Sequence, residues 1–295
     1  DRVTGNLATY AQNARKIHVE IDPTEIDKNV KVDVAIIGDL RETLEKLLPL
    51  TKKGEYSEWL GSIDDLKGDS AVRDIKDMPD MGNLYAAHVL HDLWRLTDGD
   101  ALVVTDVGQH QMWEAQYYHH EDPRSLITSG GLGTMGFALP AAMGAKIACP
   151  EKEVWVVCGD GGFQMTSAEM ITCMQEKLNL NVALINNGYL GMVRQWQEMF
   201  YDARYSETPI MSPDYIKLAE AYGLEAFRVE NLDDVIPTMR KAQKQQGPSL
   251  IEFVVEKQDM VYPMVPAGAD LHKMIERPVN ITNGKKITNN KESLV

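Results

Sequence analysis

The sequence predicts an α/β protein: a doubly wound parallel sheet preceded by part of a second α/β domain. Three observations support this fold class. Between residues 83 and 272, short apolar runs alternate with helical segments and lack the polar alternation of half-exposed strands. Three of these runs end in polar, glycine-containing turns, which is where parallel sheets bind ligands. The 295 residues, 44% of them hydrophobic, are enough for about two domains.

The charge balance limits the classes of partner. The chain has 30 Lys and Arg against 44 Asp and Glu, a formal net charge of −14. Such a field repels nucleic acid and anionic lipid, so an anionic ligand has to be held by a local site. No apolar run reaches the about 18 residues of a membrane span. We therefore expect neither nucleic acid nor membrane as a partner.

The first 50 residues resemble the back half of an α/β domain. Apolar runs predict strands within residues 16–21 and 32–37, and residues 40–48 predict a short amphipathic helix. Residues 51–82 are polar and charged, which predicts a linker with one helix near residues 56–66. The first domain is therefore expected to end near residue 50.

The second domain is expected to span residues 83–272, and residues 273–295 form a polar tail. A helix is predicted over residues 84–96. Apolar runs predict strands at residues 101–104, 154–157, 182–185 and 250–255.

Residues 131–136 read GLGTMG, a GxGxxG sequence ahead of an alanine-rich helix. With Asp160 at the end of the next strand, this pattern is compatible with a dinucleotide-binding fingerprint. Residues 127–130 are a poor first strand for such a unit, which disfavours that interpretation.

A stronger signal comes from two strand ends. Asp160 follows one predicted strand and Asn187 follows the next, with room for a single βαβ unit between them. Both should face one crevice, where a carboxylate, an amide oxygen and the carbonyl of Tyr189 suit Mg²⁺. Three glycines would let an anion approach the backbone there: Gly159, Gly161 and Gly162.

A GDG followed by NN at this spacing is the signature of thiamine diphosphate binding. From residue 83 to about 271 the chain resembles the diphosphate-binding domain of the acetohydroxyacid synthase (acetolactate synthase) family, catalytic subunit. The motifs that carry the resemblance are VGQHQMW (107–113), TSGGLGTMG (128–136), GDG (159–161), NN (186–187) and GMVRQWQ (191–197). The first segment resembles the central FAD-binding domain of the same family, through DRVTG (1–5) and EIDP (20–23).

The resemblance implies a thiamine diphosphate site with a metal ion. Asp160, Asn187 and the Tyr189 carbonyl would hold Mg²⁺ on the diphosphate, with Gln109 and His110 beside it. The resemblance also implies cofactor contacts from the loop that precedes the alanine-rich helix. Met135 would wedge the cofactor into a bent shape, and the Gly133 carbonyl would accept a hydrogen bond from its 4′-amino group.

Further roles follow from the same resemblance. Trp196, Met192 and Val107 would shape the pocket for the acceptor substrate, and Arg2 would bind the acceptor carboxylate. FAD, which has a structural and non-redox role in this family, would contact the first domain. Its contact residues would be Glu20, Asp22 and Asp39.

The implied activity is that of a transferase in branched-chain amino acid biosynthesis. A pyruvate-derived hydroxyethyl unit on thiamine diphosphate is condensed with a second 2-ketoacid, pyruvate or 2-ketobutyrate. The family implies a homodimer or tetramer, a small regulatory subunit, and the bacterial cytoplasm or a eukaryotic organelle.

The sequence departs from the family in lacking the pyrimidine-binding domain, whose glutamate activates the cofactor. We therefore expect the chain alone to be inactive. Alternatives are a non-catalytic thiamine diphosphate and Mg²⁺ binding module, half of a split enzyme, or another thiamine diphosphate enzyme such as a pyruvate oxidase or glyoxylate carboligase. On spacing alone, Met135, Met192 and Val107 are also compatible with core positions, and Trp196 with a buried helix face.

Overall fold

The computed structural model describes residues 4–67, 75, 78 and 82–278. These residues fall into two compact units: residues 4–67 with 262–278, and residues 82–261 with 75 and 78. Arg2, much of residues 68–81 and most of the predicted tail lie outside the described residues. No helix in the described part of the chain is long and apolar enough to cross a membrane.

The described residues of the first unit form two parallel strands and two α-helices. Strand β1 (Ile17–Glu20) pairs with β2 (Val34–Ile37), and α1 (Leu40–Leu47) follows directly. Helix α2 (Ser57–Lys67) lies in the segment predicted as a linker with one helix. Both predicted strands and both predicted helices are confirmed. No residue of α1 is buried, so this helix does not enclose a hydrophobic core against its neighbours.

The second unit is a six-stranded, all-parallel sheet with the strand order β4-β3-β5-β6-β8-β7. The strands are β3 (Leu102–Thr105), β4 (Leu126–Thr128), β5 (Val154–Gly159), β6 (Asn181–Asn186), β7 (Glu225–Val229) and β8 (Ser249–Val254). The helices are α3 (Ala86–Thr97), α4 (Gln109–Tyr117), α5 (Ala138–Ala148), α6 (Asp160–Thr166), α7 (Met170–Gln175), α8 (Gly191–Phe200), α9 (Tyr215–Tyr222) and α10 (Val235–Gln243).

Helices cover both faces of this sheet. Alternate residues of β5 point to opposite sides: Trp155 and Val157 join the core under α3, α4 and α10, whereas Val154 and Val156 join the core under α5, α7 and α9. A strand buried on both faces is apolar without alternation, which is the pattern seen in the sequence. The predicted doubly wound fold is confirmed.

The strand order creates a crevice beside β3. The chain leaves β3 for β4 on one side, and β5 then pairs with the other side of β3. Loops at the carboxyl ends of β3 and β5 therefore diverge, and such a topological switch point is where open α/β sheets bind ligands.

The sequence did not predict β4 and β7. Both are the outermost strands of the sheet, and β4 has only three residues. Strand β7 is only half-buried and mixes Glu225 and Arg228 with apolar residues. Edge strands of this kind lack the continuous apolar signal of the central strands.

A buried carboxylate joins the sheet to α5. Asp106, directly after β3, accepts hydrogen bonds from the Gly136 N–H at 2.9 and 3.1 Å, and others from the Phe137 and Ala138 N–H groups. It thereby caps the N-terminus of α5. Burial raises the pKa of Asp106, and these hydrogen bonds oppose that shift. Gly162 packs against the cap: a Cβ there would lie 2.7 Å from Asp106 Oδ2.

We predict that Gly162→Ala destabilises the second unit by about 1–3 kcal/mol, because the added methyl overpacks against a carboxylate that its amide donors hold in place. Gly144→Ala is the matched control, because Gly144 is also helical and a Cβ there meets nothing within 4 Å. That control should stabilise by about 0.5–1 kcal/mol. Calorimetric unfolding of both variants checks this, and equal unfolding temperatures for the two would contradict it.

Candidate functional site

A cleft of about 90 Å³ lies at the carboxyl ends of β3, β5 and β6. This volume is well below the roughly 300 Å³ of a typical small-molecule pocket, so it suits a small group such as a phosphate. The cleft is lined by Val107, Gly108, Gln109, His110, Trp113, Met135, Gly159, Asp160, Gly161, Gly162, Ile185, Asn187, Tyr189, Leu190, Gly191, Met192 and Val193.

Asp160 begins α6 and is 2% exposed. Its Oδ2 accepts hydrogen bonds from the Gly188 N–H at 2.9 Å and the Ser212 hydroxyl at 3.3 Å, and its Oδ1 accepts one from the Gly161 N–H at 3.1 Å. Burial raises the pKa of Asp160 to about 6, and no positively charged side chain in the described part of the chain offsets the shift. A buried carboxylate in this state favours a bound cation.

Asn187 lies at the same edge because β5 and β6 pair in register, with Gly159 opposite Ile185. It is buried; its Oδ1 accepts from the Tyr189 N–H at 3.0 Å, and its Nδ2 donates to Gln109 Oε1 at 3.3 Å. Among the described residues no group of three or more His, Cys, Asp or Glu side chains could hold a metal ion. A cation in this cleft would therefore depend on one carboxylate with amide and carbonyl oxygens, a donor set typical of Mg²⁺.

His110 lines the cleft, and one of its ring nitrogens has no partner. Its ring packs so closely on the backbone that a Cβ at Gly159 would lie 2.9 Å from it. Burial lowers the pKa of His110 to about 4, and the ring hydrogen-bonds to the Asp106 carbonyl. The other nitrogen, Nε2, is buried without a partner. A neutral ring with one unsatisfied nitrogen indicates a ligand position.

Gln109 lines the cleft, but its amide points into the protein. The Nε2 donates to Gln195 Oε1 at 2.8 Å and to the Asp259 carbonyl at 3.2 Å. Both amide hydrogens therefore have partners within the chain.

The loop before α5 also reaches the cleft. A Cβ on Gly161 would lie 3.5 Å from Met135 Cε, so Met135 packs over the glycine turn. Gly133 has φ +66°, a conformation that side chains rarely adopt, and a Cβ there would lie 3.8 Å from Val107. Of the residues expected to contact thiamine diphosphate, Gly133 is the one that does not line the cleft.

A second cavity, of about 570 Å³, lies along α8. Met192 and Val193 line both cavities, so the two are neighbours. Trp196 is 44% exposed and packs edge-on against Phe200 with ring centroids 5.3 Å apart. Trp196 is thus not a core residue, whereas Met192 also packs against the core.

The three acidic residues predicted to contact FAD lie at the carboxyl ends of β1 and β2. Asp22 accepts from the Thr24 N–H at 2.8 Å, and Asp39 caps α1 by accepting from the Glu42 N–H at 3.1 Å. Glu20 accepts from two backbone N–H groups of the following turn. Each therefore has a local structural role.

Sequence reasoning missed several groups that surround Asp160 and Gln109. The Ser212 hydroxyl bonds to the Asp160 carboxylate, and the Tyr215 hydroxyl donates to its carbonyl at 3.2 Å. Gln195 holds Gln109. No local pattern marks Ser212 or Tyr215, whereas Gln195 stands within the GMVRQWQ motif.

Comparison with known proteins agrees with this geometry. Residues 106–253 match the family model of the thiamine pyrophosphate enzyme C-terminal TPP binding domain, and residues 1–47 match that of the thiamine pyrophosphate enzyme central domain.

Similar proteins include the acetolactate synthase large subunit of Corynebacterium glutamicum, 46% identical over 91% of this chain and 44% of that protein. Another is the acetolactate synthase isozyme 3 large subunit of Escherichia coli, 42% identical over 93% of this chain and 49% of that protein. The chain spans about half the length of these relatives. It belongs to the thiamine pyrophosphate enzyme family.

Proposed function

We propose that this chain is the C-terminal part of an acetolactate synthase large subunit and supplies its diphosphate and metal site. The observation that carries the proposal is the meeting of Asp160, Asn187 and His110 in one cleft at the switch point of the sheet. The names of the relatives, aligned over most of this chain, support the acetolactate synthase activity.

The residues at this cleft fit Mg²⁺. The Asp160 carboxylate, the Asn187 amide oxygen and the Tyr189 carbonyl would hold the ion, because the first is buried without a cationic partner and all three are hard oxygen donors. Bound water and diphosphate oxygens would complete its coordination.

The same cleft fits a diphosphate. The first-turn N–H groups of α4, at Gln109 and His110, have no partner within the helix and lie at its positive end. The unpartnered His110 Nε2 adds a further contact. Glycines at 159, 161 and 162 leave the backbone accessible.

When bound, thiamine diphosphate supplies the carbon nucleophile and the electron sink for decarboxylating a 2-ketoacid. In our proposal Met135 and the Gly133 carbonyl orient the cofactor. Val107, Met192 and Trp196 form the apolar wall that shapes the acceptor site and excludes water from it. Arg2, outside the described residues, would bind the acceptor carboxylate.

The remaining parts of the proposal concern the whole protein. Pyruvate and 2-ketobutyrate would be its substrates, FAD would bind without redox turnover near Glu20, Asp22 and Asp39, and a dimer or tetramer would carry a small regulatory subunit. The term "large subunit" in the relatives' names supports such a partner. The bacterial cytoplasm stays the predicted compartment.

A chimera tests the activity. We expect that joining this chain to the unmatched N-terminal part of the Corynebacterium glutamicum relative gives an enzyme that forms acetolactate from pyruvate, and 2-aceto-2-hydroxybutyrate when 2-ketobutyrate is added. Chromatography of the products measures both. The chain alone should form neither product.

Three results would contradict this function. Oxygen consumption with pyruvate would indicate a pyruvate oxidase, and turnover only with glyoxylate would indicate a carboligase of that substrate. A chimera that binds cofactor but forms no product would favour a non-catalytic module.

The metal assignment predicts opposite effects of Asp160→Asn on binding and on stability. In the chimera, the Mg²⁺ concentration for half-maximal thiamine diphosphate binding should rise by well over about tenfold, because a charged ligand is lost. The folded-state pKa of Asp160 is raised from 3.8 to about 6, so its ionisation destabilises the metal-free fold as pH rises through that window.

At about pH 8 the metal-free Asp160→Asn variant should therefore unfold at the same or a higher temperature than the parent. Titration calorimetry measures the Mg²⁺ dependence of cofactor binding, and scanning calorimetry measures the unfolding temperature. The exposed Asp233→Asn is the control for loss of one charge. Unchanged Mg²⁺ dependence would disprove the metal assignment.

His110 predicts proton uptake on cofactor binding. The free ring is neutral, and its Nε2 can only accept a hydrogen bond while Nδ1–H faces the Asp106 carbonyl. A phosphate oxygen is also an acceptor, so contact between the two requires a protonated ring. Calorimetric titrations at about pH 8 in buffers of different ionisation enthalpy should show up to one extra proton bound relative to His110→Asn. Equal uptake by both proteins would place the diphosphate elsewhere.

A further inference from the structure

Gln195 is fully buried on α8 and does not line the cleft. Its Oε1 accepts from the Val261 N–H at 2.8 Å, and its Nε2 donates to the Val261 carbonyl at 2.9 Å. A reversed amide would place donor against donor and acceptor against acceptor. The backbone of Val261 therefore fixes the direction of the Gln195 amide.

That direction is passed on to Gln109. Gln195 Oε1 also accepts from Gln109 Nε2 at 2.8 Å, and the Asp259 carbonyl accepts from the same nitrogen at 3.2 Å. With its nitrogen held by two acceptors, Gln109 presents Oε1 to Asn187 Nδ2 at 3.3 Å. Asn187 is left with its oxygen on the side of the Tyr189 N–H.

The three hydrogen-bonded side chains of Gln195, Gln109 and Asn187 form an amide relay, and this relay is tightly enclosed. Gly191, the first residue of α8, packs directly against the relay. A Cβ at this position would overlap Gln109 Oε1 and lie 2.8 Å from Asn187 Nδ2. Gln109 is 3% exposed and Asn187 is 7% exposed. Because both side chains are buried, a reversed Gln109 amide would leave two NH₂ groups facing each other.

We propose that Gln195 is a positioning residue for the cation site: by fixing the direction of the Gln109 amide, it keeps the Asn187 oxygen available to the metal ion. This inference rests on the proposed function, because it assumes that Asn187 is a ligand. Gln195 itself touches neither ion nor cofactor. Its contribution is to exclude the reversed orientation of the Asn187 amide, to which it is connected through Gln109.

The test uses Gln195→Met, which keeps the length of the side chain and removes the amide. Gln197→Met is the matched control, because Gln197 lies on the same helix and also bonds a backbone at both ends, accepting from the Ser206 N–H and donating to its carbonyl. Isotope-labelled chain gives the side-chain amide resonances of Gln109 and Asn187, and line broadening by Mn²⁺ with thiamine diphosphate reports ion binding at the Gly161 and Gly188 N–H groups.

We expect Gln195→Met to shift both side-chain resonances and to raise the Mn²⁺ concentration for half-maximal broadening about tenfold or more, with Gln197→Met unchanged. Unshifted Gln109 and Asn187 resonances, or equal Mn²⁺ affinity in Gln195→Met and the parent, would overturn the positioning role alone. Absence of broadening in the parent would overturn the metal site of the proposed function, and the positioning role with it.

A second variant covers loss of folding in Gln195→Met. Gln195→Glu in its neutral form can donate to the Val261 carbonyl and accept from Gln109 as the glutamine does, and burial favours that form. It should retain the parent's Mn²⁺ affinity within about threefold. A tenfold loss of Mn²⁺ affinity in this variant, with the Gln109 side-chain resonance unchanged from the parent, would contradict the positioning role.

Discussion

The parallel pairing of β5 with β6 is the constraint on which the site depends. Because Gly159 lies opposite Ile185, both strands end at the same level, and the residues that follow them meet. The result is a 2.9 Å hydrogen bond between Asp160 Oδ2 and the Gly188 N–H, which joins the two turns. Apolar packing on both faces of the sheet holds this register, since a slip by one residue would turn every side chain to the opposite face.

Two aspartates follow neighbouring strands of this sheet and have different environments. Asp106, after β3, is surrounded by backbone N–H groups and ends as the cap of α5. Asp160, after β5, accepts from two backbone N–H groups and the Ser212 hydroxyl, and burial raises its pKa to about 6. Desolvation acts on both, but only Asp160 lines the cleft. Position at the cleft therefore separates the carboxylate that caps a helix from the one that can reach a bound cation.

Much of the architecture could be predicted from local patterns. Central strands bury both faces, so their apolar runs were visible, and the spacing of Asp160 and Asn187 across one βαβ unit placed them at one edge. The outermost strands β4 and β7 were missed because they are short or half-buried. The second compact unit ends at residue 261, whereas the sequence predicted that the second domain continues to residue 272.

The sequence by itself determined the central strands, the crevice, and the presence of Asp160 and Asn187 at its edge. The tertiary structure alone decided which way those side chains face. Gln109 was expected beside a diphosphate, yet its amide nitrogen turns inward to Gln195 and Asp259. Ser212 reaches Asp160 from a distant loop. The physical reason is that a strand's burial follows from its own residues, whereas the direction of a buried amide is set by partners that only folding brings together.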